Sequence, residues 1–156
     1  MFTMETLGKT APHVVQKGHK LFTIDLEKAY YKLFLSEDWH PWLCFHHRGK
    51  FYASRVLLFG LGPAPFWFTK INRPTLAFFR ILLIAVINYI DDWLFSENMS
   101  KAQSLVSFTQ HIFSLLDWLL NEKCRLIPAD SALFLGLLVD TEHHTFVAPD
   151  YKLARV

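Results

Sequence analysis

Residues 80–95 read RILLIAVINYIDDWLF: an apolar run passes straight into two adjacent acids, Asp91 and Asp92, and then returns to apolar residues. Two like charges between segments that favour burial admit two readings. They form a polar turn between strands, or they are a pair of metal ligands held at the tip of a rigid hairpin. Asp suits turns, so an isolated Asp-Asp is more often just a turn. The full Tyr-Ile-Asp-Asp string between two apolar runs is far rarer by chance, which directs attention to whatever else in the chain joins these acids.

The rest of the composition sets bounds. The 156 residues are 52% hydrophobic, enough for one packed domain and too few for two. Sixteen basic residues against 14 acidic ones leave a net charge of +2, so any nucleic-acid contact must come from local patches. Two cysteines, Cys44 and Cys124, make neither a disulfide framework nor a CxxC metal spacing, which points to a reduced intracellular protein, cytoplasmic or nuclear. The opening MFTMETLGKT lacks the apolar core of a signal peptide, so nothing suggests secretion. The longest apolar run, residues 81–87, falls far short of the roughly 20 residues of a membrane-spanning helix, and no membrane partner is expected. Aromatic residues make up 16% of the chain; a generous core accounts for most of them, with base stacking as the second use.

Patterning divides the chain into short elements. LFTID (residues 21–25) reads as a buried strand ending on Asp25, followed by a brief helical turn at EKAYY. KLFL, WLCFHH and KFYASRVLLF read as strands, with Arg48-Gly49 as a hairpin turn. Pro65 suits a first helical turn, so FWFTKINRPTLAFF begins a helix that Pro74 ends or kinks. Residues 81–90 read as a central strand. Ser100 with Gln103 makes a capping box for a helix whose apolar face carries Ala102, Leu105, Val106, Thr109, Ile112, Phe113, Leu116, Leu119 and Leu120. CRLIPA, ALFLGLLVD and TFVAP add strands and another hairpin. The order predicts an α+β fold with helices packed on one face of an antiparallel sheet, leaving the other face free for a ligand.

Asp25, Asp91 and Asp92 each sit at the end of a predicted core strand, and neighbouring strands would bring these ends together. Three close carboxylates repel, which raises the pKa of at least one unless a cation neutralises them. Mg²⁺ is the natural neutraliser, with Mn²⁺ as the alternative ion, because it takes one or two carboxylates and completes its shell with water and phosphate oxygens. Two such ions about 4 Å apart would serve an in-line phosphoryl transfer. A zinc site at Cys44, His46, His47 and nearby His40 is disfavoured, since alternation along a strand cannot aim neighbours at one point. Those residues read as surface or nucleic-acid-facing. Lys17, His19, Lys20, Arg48, Lys50 and Arg55 offer at most a modest phosphate-contacting patch.

The string NYIDDWLF resembles the Tyr-x-Asp-Asp box of reverse transcriptases, and four further segments are similar to motifs of that family in the same order. TIDLEKAYYKLFL resembles the first acidic motif, LLFGLGPAPFWFTK the loop and helix start that follow it, LNEKC the lysine-bearing motif and LFLGLLVD the primer grip. Together they cover about residues 21–140. The wording of YIDDWL and GPAPFWFTK is most similar to tyrosine-recombinase (DIRS-like) retrotransposons.

The resemblance implies a polymerase palm with part of the fingers across residues 1–156, and an RNA-directed DNA polymerase activity. It makes Asp25 and Asp91 ligands of both ions, has Asp92 assist, and uses the main-chain carbonyl of Leu26 to complete a metal shell. Tyr30 matches a steric gate against the ribose 2′-OH, beside Lys28 and Ala29, whose backbone would face the triphosphate. Phe59 and Gly60 would line nucleotide and template. Lys123 would protonate the departing pyrophosphate. Phe134, Leu135 and Gly136 would hold the primer end. Implied partners are an RNA or DNA template, a DNA primer, deoxynucleoside triphosphates, and ribonuclease H and recombinase or integrase regions of the same element. Two departures stand out: Leu58 replaces the proline usual before Phe59, and Lys28 stands where the family often has Asp. The remaining fingers are expected upstream of METLGKT and the thumb beyond YKLARV. The alternative reading is a non-catalytic retroelement remnant that at most binds nucleic acid.

Overall fold

The computed structural model describes residues 7–149; residues 1–6 and 150–156, and with them the ends at which further fingers and a thumb were expected, lie outside the described residues. Its centre is a four-stranded antiparallel sheet, ordered β4-β5-β1-β6, built from β1 (His19–Asp25), β4 (Ala85–Tyr89), β5 (Asp92–Asn98) and β6 (Arg125–Ala129). The helices α2 (Ala64–Ile81) and α3 (Met99–Leu115) cover one face. Strand alternation explains why: Phe22 and Ile24 of β1, Val86 of β4, and Trp93 and Phe95 of β5 point to that side and meet Phe68, Phe79, Val106 and Phe113 from the helices. Phe79 lies edge-on to both Trp93 and Phe95, with ring centroids 6.0 and 5.3 Å away. The α+β class is therefore as expected, with its two long helices on this face.

The opposite face is less open than expected. A helix that the sequence pattern did not announce, α1 (Leu7–Val14), places Ala11, Val14 and the following Val15 on one side. Together with Leu21, Ile87 and Leu94 and a second, three-stranded sheet, they form another core. That sheet comprises β7 (Ser131–Phe134), β8 (Leu137–Asp140) and β9 (Thr145–Val147), and contributes Ala132, Phe134 and Val139. At the acid-bearing end, Phe134 of this cluster forms one wall of a cleft.

Three local expectations need correction. Residues 81–90 do not form a central strand: Ile81 completes α2, Leu83 turns the chain at φ +60°, and β4 is a five-residue edge strand, with β5 and β1 in the middle. A continuous apolar run carries no period that separates a helix end from a strand start. Pro74 does not end its helix, which continues seven residues to Ile81, because buried Phe68 and Phe79 anchor α2 on either side of the lost hydrogen bond. The cap of α3 is Asn98, whose Oδ1 accepts from the Lys101 amide at 3.2 Å, while Ser100 Oγ donates to the same oxygen at 2.7 Å. The helix stops at Leu115, so Leu116, Leu119 and Leu120 lie beyond it.

The Arg48-Gly49 hairpin is as read. β2 (Cys44–His47) and β3 (Lys50–Ala53) pair in register, and both turn residues have positive φ, 48° and 76°. EKAYY supplies a short 3-10 turn, Ala29–Lys32.

Candidate active site

Backbone pairing assembles the acids. Asp25 closes β1, Asp92 opens β5, and the two are direct partners across the ladder. Asp91 sits beside Asp92 in the two-residue turn between β4 and β5, whose last pair is Tyr89 with Asp92. The Leu26 amide donates to the Asp91 carbonyl at 3.2 Å, which ties the chain just after Asp25 to that turn. By alternation from Leu21 and Leu94, the Asp25 and Asp92 side chains face away from α2 and α3.

The lysine-bearing segment arrives by the same means. The Glu27 amide donates to the Leu119 carbonyl at 2.7 Å and the Asn121 amide to the Asp25 carbonyl at 2.8 Å, an irregular extension of the sheet past β1. Cys124 Sγ accepts from the Asp25 amide at 3.2 Å. Lys123 is thereby placed next to the acids. A cleft of about 330 Å³ results, lined by Thr23, Asp25, Asp92, Lys123 and Arg125 on its polar side and by Leu133, Phe134 and Leu135 on the other. The apolar side comes from the β7–β8 turn, where Leu135 and Gly136 have φ of 50° and 77°.

Electrostatics mark the same place. Burial, then Asp91 and Asp25, push the Asp92 carboxyl up to about 6, with Lys123 opposing. The Asp91 carboxyl is raised by burial and by Asp25, and that of Asp25 by burial; Lys123 offsets both. These are under-neutralised carboxylates crowded together. Among the described residues, no three His, Cys, Asp or Glu side chains are gathered into a ready-made metal cage. The donor chemistry nevertheless fits a hard divalent cation: Mg²⁺ needs only one or two carboxylates, with water and substrate oxygens completing its shell.

Tyr30, Phe59, Gly60, Lys28 and Ala29, also singled out from the sequence, do not line this cleft, and Tyr30 and Ala29 belong to the core under the helices. Tyr30 is buried, stacked on Phe68 with centroids 4.8 Å apart and 4.5 Å from Phe59. Its phenol is pushed up by burial first and then by Asp91 and Tyr89, so it lies within electrostatic reach of the acids. Phe59 is exposed and also meets Tyr31 edge-on. Gly60 has φ +87° and open space where a Cβ would stand, so its backbone conformation, not a close neighbour within the chain, accounts for glycine. Lys28 is exposed, left-handed at φ 51°, and paired with Glu27 at 2.9 Å; Ala29 is buried. Arg125 is the charged cleft residue that the sequence reading missed, beside the uncharged Thr23, Ile24 and Leu133. It opens β6 opposite Thr23, which by strand alternation shares a face with Asp25.

No protein-family model matches the chain, and no curated protein does. Solved structures do. The chain is similar to a foamy viral protease-reverse transcriptase in complex with RNA/DNA hybrid, at 18% identity and a TM-score of 0.74, covering 99% of this chain and 20% of that one. The same viral protein in complex with double-stranded DNA gives 18% identity and a TM-score of 0.78, covering 99% and 26%. The native prototype foamy virus protein gives 17% identity and a TM-score of 0.69, covering 96% and 19%. The chain thus spans about a fifth to a quarter of the length of these proteins. At such identity the likeness speaks for the fold, and the fold is a reverse-transcriptase-like palm.

Proposed function

We propose that this chain is the palm, with part of the fingers, of an RNA-directed DNA polymerase from a retroelement, of the tyrosine-recombinase (DIRS-like) kind. One observation carries the reading: Asp25 and Asp92 are cross-strand partners, with Asp91 in the adjoining turn and Lys123 in the same cleft. The likeness of the fold to reverse transcriptases seen with RNA/DNA hybrid and double-stranded DNA supports nucleic acid as the partner.

In this reading Asp25, Asp91 and Asp92, with the Leu26 carbonyl, hold two Mg²⁺ ions. When bound, the ions supply charge neutralisation at the phosphate being transferred. The chain's own groups do the rest. The β7–β8 turn at Phe134, Leu135 and Gly136 forms an apolar wall against which a primer end rests, presenting its 3′-OH to the α-phosphate of a deoxynucleoside triphosphate. Lys28 and Ala29 offer backbone N–H groups to the triphosphate, and the Tyr30–Phe59 pair bounds the sugar. Lys123 delivers a proton to the leaving pyrophosphate, a contribution of about 10² to 10⁴ in rate for general-acid catalysis. Template, primer and deoxynucleotides are the ligands; ribonuclease H and recombinase or integrase regions are the partners expected in the same element.

The test is incorporation of dTTP on a poly(rA)–oligo(dT) template, by the chain alone and by whatever longer polypeptide its gene encodes. Activity should require Mg²⁺ or Mn²⁺, and Asp91→Asn should lower it by at least about a hundredfold while leaving the fold intact. Retained activity in Asp91→Asn refutes the assignment. RNA binding with no incorporation by the longer polypeptide favours the non-catalytic remnant.

A further inference from the structure

The turn that carries Asp91 has a backbone conformation its residues do not favour. Of its two central residues, Ile90 has φ +57°, whereas Asp91 is not among the residues of positive φ. A hairpin turn left-handed at its first central position favours glycine, and a β-branched residue there is strained. Something must hold Ile90 in place. Two side-chain amides reach its carbonyl from inside the core.

Asn72, on α2, donates from Nδ2 to the Ile90 carbonyl at 2.7 Å. Asn88, on β4, donates to the same carbonyl at 2.9 Å and to the Asp92 carbonyl at 3.3 Å. Both are buried, with only 1% and 5% of their surface exposed. Asn72 pays a visible penalty, because its Oδ1 is buried without a partner. An apolar residue would pack there without that cost, so the N–H group is what the position requires. With the Leu26 amide on the Asp91 carbonyl, the carbonyls of residues 90, 91 and 92 are all held from outside the turn.

We propose that Asn72 and Asn88 are positioning residues: their amides clamp the Ile90 carbonyl, keep Ile90 left-handed, and so fix where the Asp91 and Asp92 carboxylates point. Neither touches substrate in this arrangement. The catalytic consequence rests on the polymerase reading, and the clamp itself does not. A displacement of about 1 Å at a reacting group can cost a hundredfold in rate, so a clamp of this kind matters out of proportion to its two hydrogen bonds.

A double-mutant cycle on the full chain tests the clamp without any assay of activity. Asn72→Leu keeps the branched four-heavy-atom side chain and removes the donor; Ile90→Gly removes the need for it. Asn72→Leu should lower the melting temperature by several degrees in the Ile90 chain and by less than half as much in the Ile90→Gly chain. Equal losses in both overturn the proposal, because they mark Asn72 as ordinary core. Should Asn72→Leu fold in neither chain, the same cycle with Asn88→Ser decides on the same criterion. In primer extension, folded Asn72→Leu should lose about tenfold or more in kcat with little change in KM for dTTP. An unchanged kcat overturns the positioning role. A wild type that incorporates nothing, as this chain and as any longer polypeptide alike, refutes the polymerase reading instead, and the melting cycle still decides the clamp.

Discussion

The four-stranded sheet and the β2–β3 ribbon are both antiparallel, aromatic and β-rich, yet they have opposite fates. In the sheet, Phe22, Trp93 and Phe95 are fully buried; in the ribbon, Phe45, Phe51 and Tyr52 are all exposed, Phe51 to 81%. Stacking does not separate them, since Phe45 and Tyr52 stack across the ribbon at 5.4 Å much as Phe22 and Phe95 stack across the sheet at 4.9 Å. The difference lies in what covers them. Helices α2 and α3 close over the sheet, while beside the ribbon runs an open apolar groove of about 420 Å³ lined by Phe34, Trp39, Trp42 and Trp67. Side-chain chemistry makes a strand fit for burial, and the neighbouring elements decide whether it is buried.

That contrast can be broken by substitution. Phe79→Ala, at the junction of Trp93, Phe95 and Phe113, should destabilise the chain by about 3–5 kcal/mol in urea unfolding. A loss under about 1 kcal/mol would mean that the sheet side is no better packed than the ribbon.

Asp92→Asn should move stability the other way. The Asp92 carboxyl, raised from 3.8 to about 6, favours the folded state while protonated; that stability is complete below 3.8 and lost as pH rises through about 6. The melting temperature of metal-free wild type should therefore fall between pH 4 and pH 7 by more than that of Asp92→Asn. Added Mg²⁺ should recover more of it in wild type than in the variant. Parallel pH profiles would show that the acids are not crowded.

On the ribbon, Phe51→Ser should change the melting free energy by no more than about 0.5 kcal/mol, as at other exposed positions. A larger loss would show that its exposed faces are covered after all. The smallest effect is expected where Asp140 and His143 pair at 3.0 Å on the surface. The Asp140 carboxylate raises the His143 imidazole, and the His143 amide and then its ring lower the Asp140 carboxyl, so the pair is intact above 3.8 and below 6.5, fails on the acid side as Asp140 protonates, and fails on the basic side as His143 deprotonates. An NMR titration should show His143 above 6.5 in the wild type and closer to it in Asp140→Asn.

What was legible in the sequence was what is local or periodic. The Arg48-Gly49 turn, the strand ending on Asp25 and the apolar face of α3 each declare themselves within a dozen residues. The boundaries failed where one chemistry serves two structures. The apolar run from Ile81 fits a helix end and a strand start equally, and Ser100 and Asn98 are equally good caps on paper until side-chain geometry selects the latter. The acids were identifiable as a group because they end strands, but their supports were not. Asn72 reads as an ordinary helix residue, and its target, the Ile90 carbonyl, is 18 positions away on another element. Nothing periodic links a helix amide to a turn carbonyl, so the contact appears only once the chain has closed on itself.

The pairing of Asp25 opposite Asp92 has a last consequence, for how this gene can change. Because side chains alternate, one residue gained or lost within β1 or β5 would turn the carboxylate to the far face along with every apolar neighbour, so the core and the carboxylate pair would be lost in a single step. The tip at Arg48-Gly49 carries no such constraint, because it is exposed at the end of a two-stranded ribbon whose strands are themselves exposed. Descendants of this sequence can therefore drift in length at the tip, whereas the two strands bearing the acids can vary in composition but not in count.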